Sequence, residues 1–289
     1  MIDETKPTKS GFAVMIGRSN VGKSTLLNSL IGSKVAITSP KPQTTRLPVQ
    51  GIVTRDNAQI VFVDTPGIMQ KAKDQLTKKM FKAVQMSLED VDVILYVVDP
   101  TREIGDEEKA TLRLIKDIEK PKILVINKID VHEPRYLDFY RDLGEEFDEV
   151  IEVSGLRKTH LKDLLTLILS KLPENDFYYP EHQITSMPNE VWLAELIREK
   201  LFLRLRQEVP YTTHVEVEEI EERDNGLIYV KATIFTTEAR YKRMIIGLGG
   251  RGIKEIGQAT RNELEQATQH RYFLDLTVEV DTHWTERIG

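Results

Sequence analysis

Between residues 12 and about 172, short apolar runs alternate with longer amphipathic ones. FAVMIG, IVFVDT, VILYVVD, KILVIN and EVIEVS are nearly continuous in Val, Ile and their like, as strands buried on both faces should be. KSTLLNSLIG, DEEKATLRLIKDIE and LKDLLTLILSKL between them carry apolar residues at helical spacing. Strand–helix alternation predicts an α/β domain with a mostly parallel sheet and helices on both faces. PENDFYYPEHQITSMP follows, with Pro173, Pro180 and Pro188. Proline removes a donor and restricts the residue before it, so 173–188 is expected to be a linker.

Beyond it the pattern changes. Leu193, Leu196, Ile197, Leu201 and Leu205 fall on one stripe of a predicted helix. HVEVEEIEE and LIYVKATIF alternate about a turn at Asp224-Asn225-Gly226, which predicts a hairpin. A glycine-rich turn at 247–252 leads into helical GIKEIGQATRNELEQAT, and YFLDLTVEV closes as a strand. The expected organisation is 1–172, an α/β domain; 173–188, a linker; and 189–289, a smaller α+β domain.

Composition narrows the class. The 289 residues are 40% hydrophobic and 30% charged, enough apolar content for a core without metal or disulfide staples. Cysteine is absent, which excludes disulfides, iron–sulfur clusters and thiolate zinc and fits a reducing compartment. The strongest apolar run, Val93 to Val98, is far too short to span a bilayer, and the first ten residues lack a signal peptide's apolar core. A cytoplasmic location without a transmembrane segment is expected; peripheral contact at the inner face of the cell membrane stays open. The net charge of −6 argues weakly against nucleic acid. Yet Glu208 to Asp224 holds seven acids and one base, whereas Arg240 to Arg271 holds seven bases and three acids. The average hides a local basic segment. The six histidines are scattered without metal spacing.

Gly17-Arg18-Ser19-Asn20-Val21-Gly22-Lys23-Ser24 matches the phosphate-loop pattern after a predicted strand and at the start of a predicted helix. Backbone N–H groups in such a loop wrap phosphates, aided by the helix N-terminus, so Gly17, Asn20, Val21, Gly22 and Thr25 are expected to line the nucleotide. Lys23 would reach the outer phosphates and Ser24 would ligate Mg²⁺. Asn127-Lys128-Ile129-Asp130 follows the strand KILVIN. A carboxylate there accepts from both guanine N1–H and the exocyclic amine, a donor pair adenine lacks. GTP/GDP is therefore the expected nucleotide. Asp64-Thr65-Pro66-Gly67 would place Asp64 at Mg²⁺ through a water and the Gly67 N–H at the γ-phosphate. Thr45, in preference to Thr44, would close on the metal. Ser154-Gly155-Leu156 would turn backbone N–H groups to the guanine oxygen. Lys71, Lys73, Lys78 and Lys79 are expected in a solvated switch region, with RNA contact as the alternative.

With these elements in order, the chain resembles the TRAFAC-class GTPases, and nearly its whole length resembles a bacterial ribosome-assembly family within them. GRSNVGKSTLLN, PQTTR, DTPGI, NKID and SGL carry the resemblance. It implies a P-loop GTPase domain followed by a type II KH domain. It further implies GTP hydrolysis involving Lys23, Thr45, Asp64, Gly67 and Asn20, and binding to the 3′ end of small-subunit ribosomal RNA in the assembling small subunit. Asn20 matches an asparagine that holds K⁺ in several such relatives. Ile68 stands where many switch GTPases have a water-orienting glutamine. Gly247-Leu248-Gly249-Gly250 occupies the GXXG position, where glycines let backbone approach a sugar-phosphate chain. Leu248 departs from the family's usual basic residue, so Arg251 and Lys254 are expected to supply that charge. The rival expectations are a second domain that docks a protein or membrane surface, and a phosphotransferase, which NKID disfavours.

Overall fold

The computed structural model describes residues 7–68 and 75–286. By contacts the chain falls into two compact units. One contains residues up to Thr38 with Thr45–Ser186; the other contains Ser39–Thr44 with the residues from Met187 onward.

The first unit is built in the order β1 (Lys9–Ile16), α1 (Lys23–Ile31), β2 (Val49–Arg55), β3 (Ala58–Asp64), α2 (Gln75–Met86), β4 (Val93–Val98), α3 (Asp106–Lys116), β5 (Lys122–Ile126), α4 (Leu137–Leu143), β6 (Glu149–Glu152) and α5 (Leu161–Lys171). The sheet runs β2-β3-β1-β4-β5-β6. All pairings are parallel except β2 with β3. Every residue of β4 is buried, which accounts for its unbroken VILYVV. Val14, Ile94, Tyr96 and Leu124 form one core with Val84, Ile115 and Tyr140 from α2, α3 and α4. Central β1 has a parallel neighbour on each side, so the chain switches direction across the sheet there. In open α/β sheets the crevice at the carboxyl ends of such strands is where ligands bind.

β2, α2 and α4 are additions to the expected elements. The stretch 173–186 is fastened along this unit rather than standing free. Ile52 N–H donates to Ile184 O at 2.8 Å, Thr185 Oγ1 donates to Gln50 O at 2.7 Å, and Gln59 exchanges two bonds with the Tyr179 backbone. Phe12 packs on Tyr178. The prolines remove donors, but the remaining backbone groups find partners on β2 and β3.

The second unit contains α6 (Asn189–Arg204), β7 (Thr213–Glu222), β8 (Leu227–Thr236), α7 (Ala239–Ile246), α8 (Arg251–Thr268) and β9 (Arg271–Val280). The predicted stripe Leu193, Leu196, Ile197, Leu201 and Leu205 is buried throughout. β7 and β8 form the hairpin, and β9 lies parallel to β8 as the edge of a three-stranded sheet. Ile197, Leu201, Ile245 and Ile256 from the three helices share one core with Val215, Ile234 and Val278 from the three strands. The helix–strand–strand–helix–helix–strand order is that of a type II KH domain. No helix among the described residues is long and apolar enough to cross a membrane.

The turn between α7 and α8 is tight. A Cβ on Gly252 would fall 2.4 Å from Ile245 O and 2.8 Å from Ile246 O, both backbone atoms that cannot swing aside. Gly252→Ala is expected to destabilise the second unit by about 1–3 kcal/mol, the usual cost of overpacking. A lowered denaturant midpoint followed by a probe in that unit is the measurement.

Candidate functional site

The phosphate loop leaves β1 after Ile16 and enters α1 at Lys23. Gly22 precedes the helix with φ 99°, and a Cβ there would collide with Asn127 Nδ2 at 2.4 Å, so glycine is required twice over. Lys23 is buried, its Nζ donating to Gly17 O at 2.9 Å and Arg18 O at 3.1 Å. Those bonds curl the loop around its own lysine. Burial lowers the Lys23 pKa, against the opposing pull of Asp64 and Glu108. Thr25 lies half-buried in the first turn of α1 and Val21 is fully buried.

Asp64 ends β3 beside this loop. Ser24 Oγ donates to Asp64 Oδ2 at 2.6 Å, and Ser24 Oγ lies 3.1 Å from Thr45 Oγ1. Thr44 is otherwise engaged: its hydroxyl lies 2.6 Å from Ser39 Oγ and 2.8 Å from Lys41 O. The structure thus brings Thr45, and not Thr44, to Ser24 and Asp64. Burial raises the Asp64 pKa to about 6, opposed by Lys23 and by the hydroxyls of Ser24 and Thr45. Asp64 Oδ1 is buried with no hydrogen-bond partner. Two hydroxyls and a carboxylate with an orphaned oxygen form a hard oxygen donor set, which suits Mg²⁺ sharing its shell with phosphate and water. The Asp64-Thr65-Pro66-Gly67 turn is pinned by Thr65 Oγ1, which donates to Met15 O at 2.7 Å. Ile68 is buried in the core and presents no polar group.

The base-side loops are tied to the phosphate loop. Asn127 Nδ2 donates to Val21 O at 2.9 Å, while its Oδ1 accepts from Gly155 N at 3.0 Å. Lys128 Nζ donates to Asn20 O at 2.9 Å and pairs with Asp99 Oδ2 at 2.6 Å. Ser154 Oγ donates to Asp130 Oδ1 at 2.5 Å and accepts from Arg157 N at 2.9 Å, which orients the carboxylate. Leu156 is 71% exposed beside them. Three supporting groups escaped the sequence reading. Asp99, fully buried, balances Lys128; Arg102 Nη1 donates to Ser19 O at 2.8 Å; and Glu108 receives Arg18 at 3.2 Å and Tyr140 at 3.1 Å. Of these only Asp99 had a sequence signal, an acid closing an apolar strand.

In the second unit, Gly247, Gly249 and Gly250 all have positive φ, 72°, 60° and 75°, which joins α7 to α8 in a turn that side chains would strain. Leu248 at its tip is 92% exposed. Beside the turn, α8 and the free edge of β9 enclose a groove of about 340 Å³. Ile253, Leu274 and Leu276 give it apolar walls, Gly257 opens it, and Lys254 and Arg261 supply positive charge. Lys254 therefore lies on the groove. Arg251 lines an adjoining depression on α8 with Lys254 and Gln258. Arg261 and the β9 wall were not anticipated, because helical periodicity does not distinguish a groove-facing arginine from a solvated one. Among the described residues no cluster of His, Asp and Glu could hold a metal ion without other donors. Lys78 and Lys79 lie in α2, while Lys71 and Lys73 fall outside the described residues.

A family model described as "50S ribosome-binding GTPase" matches residues 12–128, and one described as "KH domain" matches 208–285. GTPase Era of Halothermothrix orenii is 44% identical over 283 residues, covering 97% of this chain and 96% of that protein. GTPase Era of Lactobacillus helveticus is 44% identical over 285 residues, covering 97% and 94%. Among solved structures, an Aquifex aeolicus Era variant bound to GDP·AlF4⁻ superimposes with TM-score 0.91 at 38% identity, covering 97% of this chain and 96% of that one. Era in complex with MgGDPNP and nucleotides 1506–1542 of 16S ribosomal RNA gives the same values. A phosphate loop, a guanine-type NKxD loop and a GXXG groove on one chain define a P-loop GTPase with a KH module. The chain belongs to the Era family of GTPases.

Asp130, oriented by Ser154, is expected to set base choice. In Asp130→Asn one acceptor becomes a donor, so guanine should lose about 1–3 kcal/mol of preference and xanthine should gain. Nucleotide competition measures the exchange; unaltered guanine preference would take Asp130 out of the site.

Proposed function

We propose that this chain is a GTP-driven switch that binds small-subunit ribosomal RNA near its 3′ end and assists assembly of the small subunit in the cytoplasm. The observation that carries this reading is the coexistence of the two sites on one chain, matched over nearly its full length by a relative bound to both MgGDPNP and 16S nucleotides 1506–1542. The broader family model carries a large-subunit description, but it spans only the first unit. The KH groove and that relative's RNA favour the small subunit over a protein or membrane partner.

In this reading Gly17, Asn20, Val21, Gly22, Lys23, Ser24 and Thr25 hold the phosphates, and Asn127, Lys128, Asp130, Ser154, Gly155 and Leu156 hold the guanine. Ser24, Thr45 and Asp64 hold Mg²⁺, which when bound neutralises charge on the phosphates. Water attacks the γ-phosphorus, the bond to the β–γ bridging oxygen breaks, and that oxygen keeps the electron pair as GDP leaves. The Lys23 ammonium and the loop N–H groups face the charge that develops there. Thr45 and Gly67 are the points whose order depends on the γ-phosphate. If GTP strengthens RNA binding, RNA strengthens GTP binding by the same factor.

Ile68 cannot orient the attacking water, so charge neutralisation has to come from elsewhere. The Asn20 amide oxygen is a neutral donor of the kind K⁺ accepts. Hydrolysis is expected to run faster in KCl than in NaCl at equal ionic strength, and Asn20→Ala should abolish the difference. Equal rates for the parent chain in the two salts would remove K⁺ from the site.

RNA binding is expected to run through 247–250, Arg251, Lys254 and the groove. Replacing both Gly249 and Gly250 by Asp puts bulk and negative charge where a phosphate must approach, and should abolish binding to an RNA spanning nucleotides 1506–1542 while GTP binding survives. Arg251→Ala should lower the salt slope by about 0.7, the increment for one single-strand phosphate. Parent-like RNA binding by the double-aspartate chain would favour a protein partner for the second unit.

A further inference from the structure

Ser19 is the third residue of the phosphate loop, between Arg18 and Asn20. It is 9% exposed, and its Oγ is buried without a hydrogen-bond partner among the described residues. Leaving a buried hydroxyl unpaired is costly, so such a group is expected to find its partner in a bound state.

Its surroundings indicate which partner. A Cβ on Gly67 would fall 2.4 Å from Ser19 Oγ and 2.6 Å from both Ser19 Cα and Ser19 N. Ser19 is therefore packed against the glycine of the Asp64–Gly67 turn, the glycine assigned above to the γ-phosphate. The Ser19 carbonyl accepts from Arg102 Nη1 at 2.8 Å, so the peptide is fixed while the hydroxyl is left over. The next residue of the turn, Ile68, has a buried apolar side chain, and its N–H is given to Gly17 O at 3.3 Å. A donor hydroxyl on the phosphate loop against the γ-phosphate glycine, with no acceptor among the described residues, fits an anionic oxygen at the end of the triphosphate.

We propose that Ser19 is a γ-phosphate ligand, its Oγ–H donating to a terminal phosphoryl oxygen of GTP. This rests on the assignment of the loop to GTP. GDP has no group at that place, so the hydroxyl separates the two nucleotides and adds to the signal carried by the Gly67 N–H. No covalent bond to Ser19 forms. The hydroxyl keeps its proton and remains a donor as charge builds on the transferring phosphoryl group.

The test is Ser19→Ala in the full chain with Mg²⁺, titrated separately with GDP and with a GTP analogue that cannot be hydrolysed. A hydrogen bond to a charged oxygen predicts about a ten-fold loss of analogue affinity, with GDP affinity within about two-fold of the parent. The unchanged GDP value also reports that the loop is folded. Equal losses for both nucleotides would mean that the hydroxyl only props the loop, and no loss for either would mean that it touches no γ-phosphate. A parent chain that binds neither nucleotide would instead overturn the GTP assignment itself.

Discussion

One carboxamide holds the nucleotide site together. Asn127 sits at the end of β5, 2% exposed, and spans from the phosphate loop at Val21 to the loop at Gly155. Lys128 beside it repeats the tie, joining Asn20 to Asp99. Four loops at the carboxyl ends of parallel strands thus share two adjacent side chains as cross-braces. Ordering a loop costs about 1–2 kcal/mol of backbone entropy per residue, and these braces commit that cost to folding rather than to ligand capture. Gly22 belongs to the same constraint, because only hydrogen leaves room for the Asn127 amide.

Against this rigid frame stand two charges in a poor environment. Lys23 and Asp64 are both buried, and burial shifts each toward its neutral form. Their mutual attraction opposes the shift without removing it. A polyanion beside the ammonium and a divalent cation beside the carboxylate would each favour the charged form of its neighbour.

Most of this architecture is legible in the sequence because the buried parallel strands are uninterrupted in apolar residues and each ends in a polar motif. The legible part stops where the strand signal weakens. β2 reads VQGIVTR, with Gln50, Gly51 and Thr54 breaking the apolar run, since it is an antiparallel edge strand whose Gly51 is there to let α1 side chains Leu27 and Ile31 approach. The motif residues assigned to the nucleotide follow from spacing. Those that hold the motifs in place do not. Asp99, Arg102 and Glu108 act through contacts with residues far off in sequence, and no local pattern reports such pairs. On α8 the helix is legible but its faces are not: Ile256, Thr260 and Leu264 form the buried one, and the neighbouring stripe of Ile253, Gly257 and Arg261 becomes a groove only once β9 lies beside it.

The pairing of β9 also bears on the order in which the molecule is made. All ten positions of β8 pair in parallel with Arg271–Val280, and Val278 belongs to the core of the second unit. That core cannot close until the strand has been synthesised, after α7 and α8. The first unit has its six strands by Glu152 and its last helix by Lys171, so it is able to fold while the second is still being translated. Parallel pairing across two intervening helices is a slow, non-local step. During synthesis, a finished nucleotide-handling unit would therefore precede a competent RNA groove on every nascent chain.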